Sequence, residues 1–189
     1  MARALKKNMD IIIQIDNKEK DLSYVKSIKL DRRRNKDGQK ILSTEMCTVK
    51  PNTKLGTCDV SFKYCFPDLN PNEFIQAPFG VELKKRGDAF SSVYTKANFD
   101  RLKREVDRSV EAKVDMYYVV TDDITIARKR IERIKRFTDN TSKIFFDNML
   151  KFNEYLMINK IPYITCGTDI GWVIRRLIKH HIKKYKLNY

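Results

Sequence analysis

Apolar positions along the chain follow two periods. In the first half they come in short runs and alternations of strand length. Ile11-Ile12-Ile13-Gln14-Ile15 is a near-continuous apolar run ending at Asp16, which predicts a buried strand. Cys58 to Phe66 alternates weakly and is rich in aromatics, a second strand. Phe79 to Lys84 is a third, followed by Arg86-Gly87-Asp88. Asp37-Gly38 lies between Ile28 and Leu30 on one side and Ile41 and Leu42 on the other, the pattern of a hairpin turn. Pro67 to Pro78 carries internal Pro and Asn residues and reads as a loop.

From about residue 96 the helical period takes over. Phe99, Leu102, Val106 and Val110 mark one apolar face. Ile124, Ala127, Ile131 and Ile134 mark a second helix, and Phe145, Met149, Phe152 and Leu156 a third. A last helix starts after Thr168 or Asp169, with Ile170, Val173, Ile174, Leu177 and Ile178 inward and Trp172 packed at its start. Strands at Met116 to Val120 and Pro162 to Cys166 separate these helices. Strands first and β-α alternation afterwards predict an α/β fold, a central mixed sheet flanked by helices. No repeat and no linker composition divides the chain, so one domain over 1–189 is expected.

Charge changes the picture more than composition does. Lys plus Arg number 39 and Asp plus Glu 24 in 189 residues, a net charge of +15. Such a surplus speaks of partners rather than fold, and a nucleic acid is the polyanion it fits best. No apolar stretch approaches the roughly 18 residues of a membrane span, and no signal-peptide pattern opens the chain. The four cysteines (Cys47, Cys58, Cys65, Cys166) form no C-x-x-C pair and fit no zinc spacing with His180 or His181. They read as isolated thiols of an intracellular, reducing compartment, the cytoplasm or nucleoid, or the host cytoplasm for a viral protein. Basic clusters gather around Arg32-Arg33-Arg34, around Arg128 and Arg130, and around Arg175 and Arg176, with Lys85 and Arg86 after the third strand. Each alone reads as a solvated face; together they predict contacts to a phosphate backbone.

Candidate chemistry rests on an acid-x-Lys triplet. Three occur, at Asp16 to Lys18, Glu82 to Lys84 and Glu111 to Lys113, and in so charged a chain the triplet itself means little. Position decides. On a strand, residues i and i+2 share a face, so only Glu82 and Lys84 are delivered into one small volume. The bland alternative is a weak ion pair on an exposed strand face, worth under about 1 kcal/mol. A second carboxylate from the preceding strand, Asp59, with the Leu83 carbonyl, would complete an oxygen-rich shell of the kind Mg²⁺ or Mn²⁺ takes. Asp68, in the dipeptide Pro67-Asp68, is the rival first acid.

Several segments, in order, resemble the XPF-type (xeroderma pigmentosum group F) nuclease domain of the PD-(D/E)xK superfamily, most closely its compact bacterial and phage members. Ile11 to Lys20 is similar to the family's opening strand and Asp-x-x-Glu. Leu55-Gly56-Thr57-Cys58-Asp59-Val60 is similar to its Leu-x-x-Gly-Asp-Tyr segment. Val81 to Asp88 resembles its Val-Glu-Arg-Lys-x-x-x-Asp signature, and Arg101 to Arg108 the helix that follows. The resemblance implies a restriction-endonuclease-like core and a metal-dependent DNA endonuclease, selective for branched, flap or junction DNA, acting in repair, recombination or replication. It implies Asp59 and Glu82 as metal ligands and Lys84 as the catalytic lysine. Asp16 and Glu19 become additional catalytic acids, and Asp88, Arg101 and Glu105 supporting residues. It also implies a homodimer through this domain. The chain departs from the pattern at Cys58 (for Gly), Leu83 (for Arg) and Lys18 (for Arg), and its insert between Asp59 and Glu82 is long, which keeps Asp68 and Glu73 as alternative ligands. No helix-hairpin-helix segment follows. The competing expectation is an inactive module of the same fold that only binds nucleic acid or a partner.

Overall fold

The computed structural model describes residues 9–19, 22–24, 28, 32–34, 40–42, 47–66, 69–70, 72–84, 93, 95–121, 139–185 and 187. The chain resolves into two compact units, Met1–Phe79 with Asp169–Tyr189, and Gly80–Thr168.

In the first unit the isoleucine run is strand β1 (Asp10–Asp16). Ile11, Ile13 and Ile15 are buried, as the alternation along a strand requires. β1 lies between two neighbours. On one side it runs antiparallel to β5 (Val60–Cys65), with Ile13 opposite Phe62. On the other it runs parallel to β4 (Cys47–Thr53), with Ile13 opposite Val49. The sequence pattern missed β4, whose Lys50 and Pro51 break any alternation; an outer strand tolerates both. A hairpin of β2 (Arg32–Arg34) and β3 (Lys40–Leu42) forms a separate two-stranded sheet. The expected Asp37-Gly38 turn lies outside the described residues, and the first arm is the arginine run. The expected loop over Pro67 to Pro78 contains a short strand, β6 (Ile75–Gln76), antiparallel to β5. Gln76 holds it there by donating Nε2 to the Phe62 carbonyl at 3.1 Å and to Ser61 Oγ at 2.8 Å.

The second unit contains β7 (Phe79–Lys84, its first residue in the first unit), then α1 (Lys96–Glu111), β8 (Asp115–Val120), α2 (Asp139–Ile158) and β9 (Tyr163–Thr165). The strands neighbour one another in the order β7-β8-β9, and β8 and β9 are parallel. Thr95 caps α1 by accepting the Asn98 N–H at 3.2 Å. Leu102 and Val106 face inward as predicted, but Val110 is exposed and Ser109 takes the buried position. Both helices end in the same way. Lys113 and Lys160 adopt the left-handed conformation usually left to glycine. The N–H groups of Val114 and Ile161 reach back to the Ser109 and Leu156 carbonyls at 2.9 and 2.8 Å. The helix expected around Ile124 to Ile134 lies outside the described residues.

The final helix, α3 (Ile170–Lys184), belongs to the first unit. Its five predicted inward residues are all buried, and His181 joins them. His181 packs at ring distances of 5.6 Å from Phe62, 5.3 Å from Phe79 and 4.5 Å from Tyr185. Trp172, expected to pack, is 47 % exposed instead. Among the described residues the seven strands outside the hairpin run in mixed directions, and with three helices they make the α/β, mixed-sheet fold that the sequence predicts. Among the described residues no helix is long and apolar enough to cross a membrane.

Candidate active site

The end of β7 carries a buried pair of opposite charges. Every residue of this strand is buried, including Glu82 and Lys84, each 8 % exposed. Alternation sets them on one face, and the Lys84 Nζ donates to Glu82 Oε1 at 2.5 Å. The exposed, weak ion pair that spacing alone allowed is therefore not what forms. Helix α1 adds a second carboxylate: Glu105 Oε2 is 3.7 Å from the same Nζ. One turn earlier on α1, Arg101 Nη1 meets Glu105 Oε1 at 3.4 Å. The four groups alternate in sign and sum to zero, which is how such charges are tolerated under burial. The Lys84 carbonyl accepts the Thr121 N–H at 3.0 Å, fixing the strand end. The Tyr118 ring lies beside the ammonium, 6.0 Å to its centroid. No periodicity signals Tyr118 as part of this site; only the fold brings it there.

In the first unit the acids do different work. Asp16, the last residue of β1, is buried. Its Oδ1 accepts the Lys18 N–H at 2.9 Å and its Oδ2 accepts the Leu55 N–H at 2.7 Å. Around it the Asp16 N–H donates to the Asp59 carbonyl at 2.7 Å, and Asn17 N–H to the Thr53 carbonyl at 2.9 Å. Asp16 thus ties the turn after β1 to the segment leading from β4 to β5. Asp59 stands immediately before β5, half-buried, rather than within it. Glu19 is half-buried, and its N–H donates to the Asp16 carbonyl at 3.1 Å. Cys58, where the resembled family has glycine, is accommodated as a buried side chain.

The remaining candidates divide by position. Leu83 is buried on β7. Glu73 is exposed and accepts from Asn70 Nδ2 at 2.7 Å. Arg32, Arg33 and Arg34 form β2. Arg175 is half-buried and Arg176 exposed on α3. Asp68, Lys85, Arg86, Asp88, Arg128 and Arg130 lie outside the described residues. His180 faces out and His181 in. Cys65 is buried, and burial, with the Asp10 carboxylate beside it, pushes its thiol above the ordinary range, as suits an inert core residue.

Among the described residues no group of three or more His, Cys, Asp or Glu side chains could by itself hold a metal ion. The donor chemistry in the second unit nevertheless suits a hard divalent cation. Glu82 and Glu105 offer carboxylate oxygens beside one another's ammonium partner, and Glu105 Oε2 is buried and accepts no hydrogen bond among the described residues.

No family model and no curated protein matches the chain. Solved structures do. The fold is similar to that of XPF from Aeropyrum pernix, with a TM-score of 0.51 at 13 % identity, over 93 % of this chain and 68 % of that one. It is similar again to the structure of XPF from Aeropyrum pernix in complex with DNA, with a TM-score of 0.53 at 13 % identity, over 92 % of this chain and 66 % of that one. At this identity the likeness is one of fold. It is the fold of the family that the sequence motifs resemble.

Proposed function

We propose that this chain is a divalent-metal-dependent DNA endonuclease that hydrolyses phosphodiester bonds, selective for branched, flap or junction DNA. The observation that carries the reading is the buried Glu82-Lys84-Glu105 cluster at the end of β7, in a chain of net charge +15 whose fold is XPF-like. A buried ammonium between two carboxylates has little value for stability alone. It has value as a rigidly held cation near a scissile phosphate, where charge develops in the transition state.

In this reading Mg²⁺ or Mn²⁺, when bound, polarises a phosphoryl oxygen and lowers the pKa of a bound water. Glu82 is its ligand in the second unit, and Asp59 enters as the other acid from the sequence pattern alone. Lys84 keeps its Nζ fixed against Glu82 and supports the charge on the phosphate. Glu105 and Arg101 hold Lys84 in place from α1. Asp16 holds the turn after β1 to the β4–β5 connection and takes no part in the chemistry, while Glu19 stays a further candidate acid from the sequence pattern. Homodimerisation belongs to the same proposal. The exposed α2 residues Leu150, Met157 and Ile158 are its candidate surface, and a monomer mass by light scattering at micromolar concentration overturns it. The place of action is the DNA-containing compartment, in repair or recombination or in a phage or mobile element.

The test is cleavage of duplex, flap, fork and four-way junction DNA with Mg²⁺ or Mn²⁺. Glu82→Ala and Lys84→Ala should each lower the rate by about 100-fold or more. Equal cleavage by the parent and Glu82→Ala overturns the assignment. Binding without cleavage by the parent supports the inactive module instead.

A further inference from the structure

Helix α3 carries five Lys or Arg residues and no acid over Ile170–Lys184. Its buried face is fully used, by Ile174, Ile178 and His181 among others. The opposite face is built differently from an ordinary solvated surface. Trp172, Arg176, Lys179 and Lys183 follow one another at spacings of four, three and four residues, so they form one stripe. All four are exposed. The chain's one tryptophan stands at the head of this stripe, 47 % exposed, with the Arg176 guanidinium 5.1 Å from its ring centre. At the other end of the helix Tyr185 is 44 % exposed, with the Lys184 ammonium 4.9 Å from its ring.

Two exposed aromatic rings, each beside a cation, on or next to a helix whose own sequence carries no carboxylate, describe a specific chemistry. A ring face stacks on any base that is not already stacked in a duplex, and the neighbouring cations take the phosphates on either side. A paired base offers no free face. The stripe from Trp172 to Lys183 is about 16 Å long at 1.5 Å per residue, long enough to follow several phosphates of an extended strand. We propose that the outward face of α3 is a single-stranded DNA-binding surface, with Trp172 stacking on an unpaired base and Arg176, Lys179 and Lys183 holding the adjoining phosphates. This deepens the reading of the chain as an enzyme of branched DNA and rests on its nucleic-acid part, not on cleavage. Such a surface lets the protein hold the unpaired arm of a fork or flap through residues remote in sequence from Glu82 and Lys84.

The single tryptophan makes the test direct. The full chain is titrated with an oligothymidylate of about twelve nucleotides in the presence of a chelator, and the DNA is checked for integrity afterwards. Tryptophan emission should be quenched saturably, and log affinity should fall with log salt at a slope of about −0.7 per phosphate neutralised. A blunt duplex of the same charge should bind with little quenching, and polyglutamate should not quench. In fluorescence anisotropy with a labelled oligonucleotide, Trp172→Ala should weaken single-strand binding by about 5- to 100-fold. Trp172→Phe should retain most of it, and neither substitution should change duplex binding. Arg176→Ala with Lys183→Ala should flatten the salt slope by about 1.4. Unchanged single-strand affinity in Trp172→Ala, or quenching as strong with duplex or polyglutamate as with oligothymidylate, overturns the proposal. Loss of cleavage in Glu82→Ala reads the endonuclease assignment separately, so failure of either leaves the other standing.

Discussion

Asp16 and Glu82 are both buried carboxylates at or near the end of a β-strand, and they are used in opposite ways. Asp16 spends its two oxygens on backbone N–H groups, one of them 39 residues away. Its charge is absorbed by dipoles that cannot move without unravelling the turn. Glu82 faces the Lys84 ammonium, and a second carboxylate faces the same ammonium from α1. The first arrangement holds chain segments together; the second keeps charge in a form that a phosphate or a cation can engage. The difference teaches that burial alone does not mark a catalytic acid. The identity of the partner does.

The largest expected effect tests the second half of that contrast. Glu82→Ala removes the 2.5 Å partner of a buried ammonium and leaves Glu105 at 3.7 Å, so it should destabilise the protein by about 3 kcal/mol as well as abolish cleavage. Replacing both partners, Glu82→Met with Lys84→Met, removes the buried charges together and should bring stability back to within about 1.5 kcal/mol of the parent. Cleavage should stay absent. Chemical denaturation read beside the nuclease assay separates the two quantities. A double variant that regains cleavage along with stability would show that the pair is structural, and the contrast with Asp16 would be lost.

Asp16→Ala probes the other half and should do less. Two backbone donors lose their acceptor, at about 1 kcal/mol each, for a total near 2 kcal/mol. In a chain of this size the melting temperature should fall by about 4–8 °C. Cleavage per folded molecule, measured well below the transition, should match the parent. A variant that melts normally but no longer cleaves moves Asp16 into the same class as Glu82.

How much of this was legible before the fold was known follows from the range of each interaction. β1, β7, β8 and α3 are visible because their period is local: Ile11 to Ile15, Phe79 to Lys84, Met116 to Val120 and Ile170 to Ile178 carry it in consecutive residues. The shared face of Glu82 and Lys84 is visible for the same reason. β4 is not, because Lys50 and Pro51 fit an outer strand whose reason to exist is pairing with β1. Trp172 looks like a core residue by type, and only the packing of its neighbours on α3 shows that the buried arc is full without it. The use made of Asp16 is also hidden, since its Leu55 partner is set by how the β4–β5 connection returns. The Asp-x-x-Glu pattern marks Asp16 as an acid of interest without distinguishing a metal ligand from a hydrogen-bond acceptor.

The smallest effect comes from a third acid, which shares a unit with Glu82 but a role with Asp16. Asp107 on α1 accepts a short hydrogen bond from the Tyr155 hydroxyl of α2, and the Lys103 ammonium sits 4.7 Å from the centre of that ring. Burial first, and the hydrogen bond to the Asp107 carboxylate second, push the Tyr155 phenol up to about 12. The phenol holds its proton more tightly in the folded chain than in the unfolded one, where tyrosine titrates near 10. The stabilisation is therefore complete below about pH 10, declines as the unfolded state begins to ionise, and is gone once pH passes about 12. Tyr155→Phe should cost about 1 kcal/mol at neutral pH, the net value of one hydrogen bond, and should leave cleavage untouched. It should also remove a phenol that titrates at about 12 from the ultraviolet titration of the nine tyrosines. If Tyr155→Phe instead lowers cleavage at unchanged stability, Asp107 belongs with Glu82 and Glu105 in the chemistry of the second unit, and a carboxylate's partner no longer predicts its role.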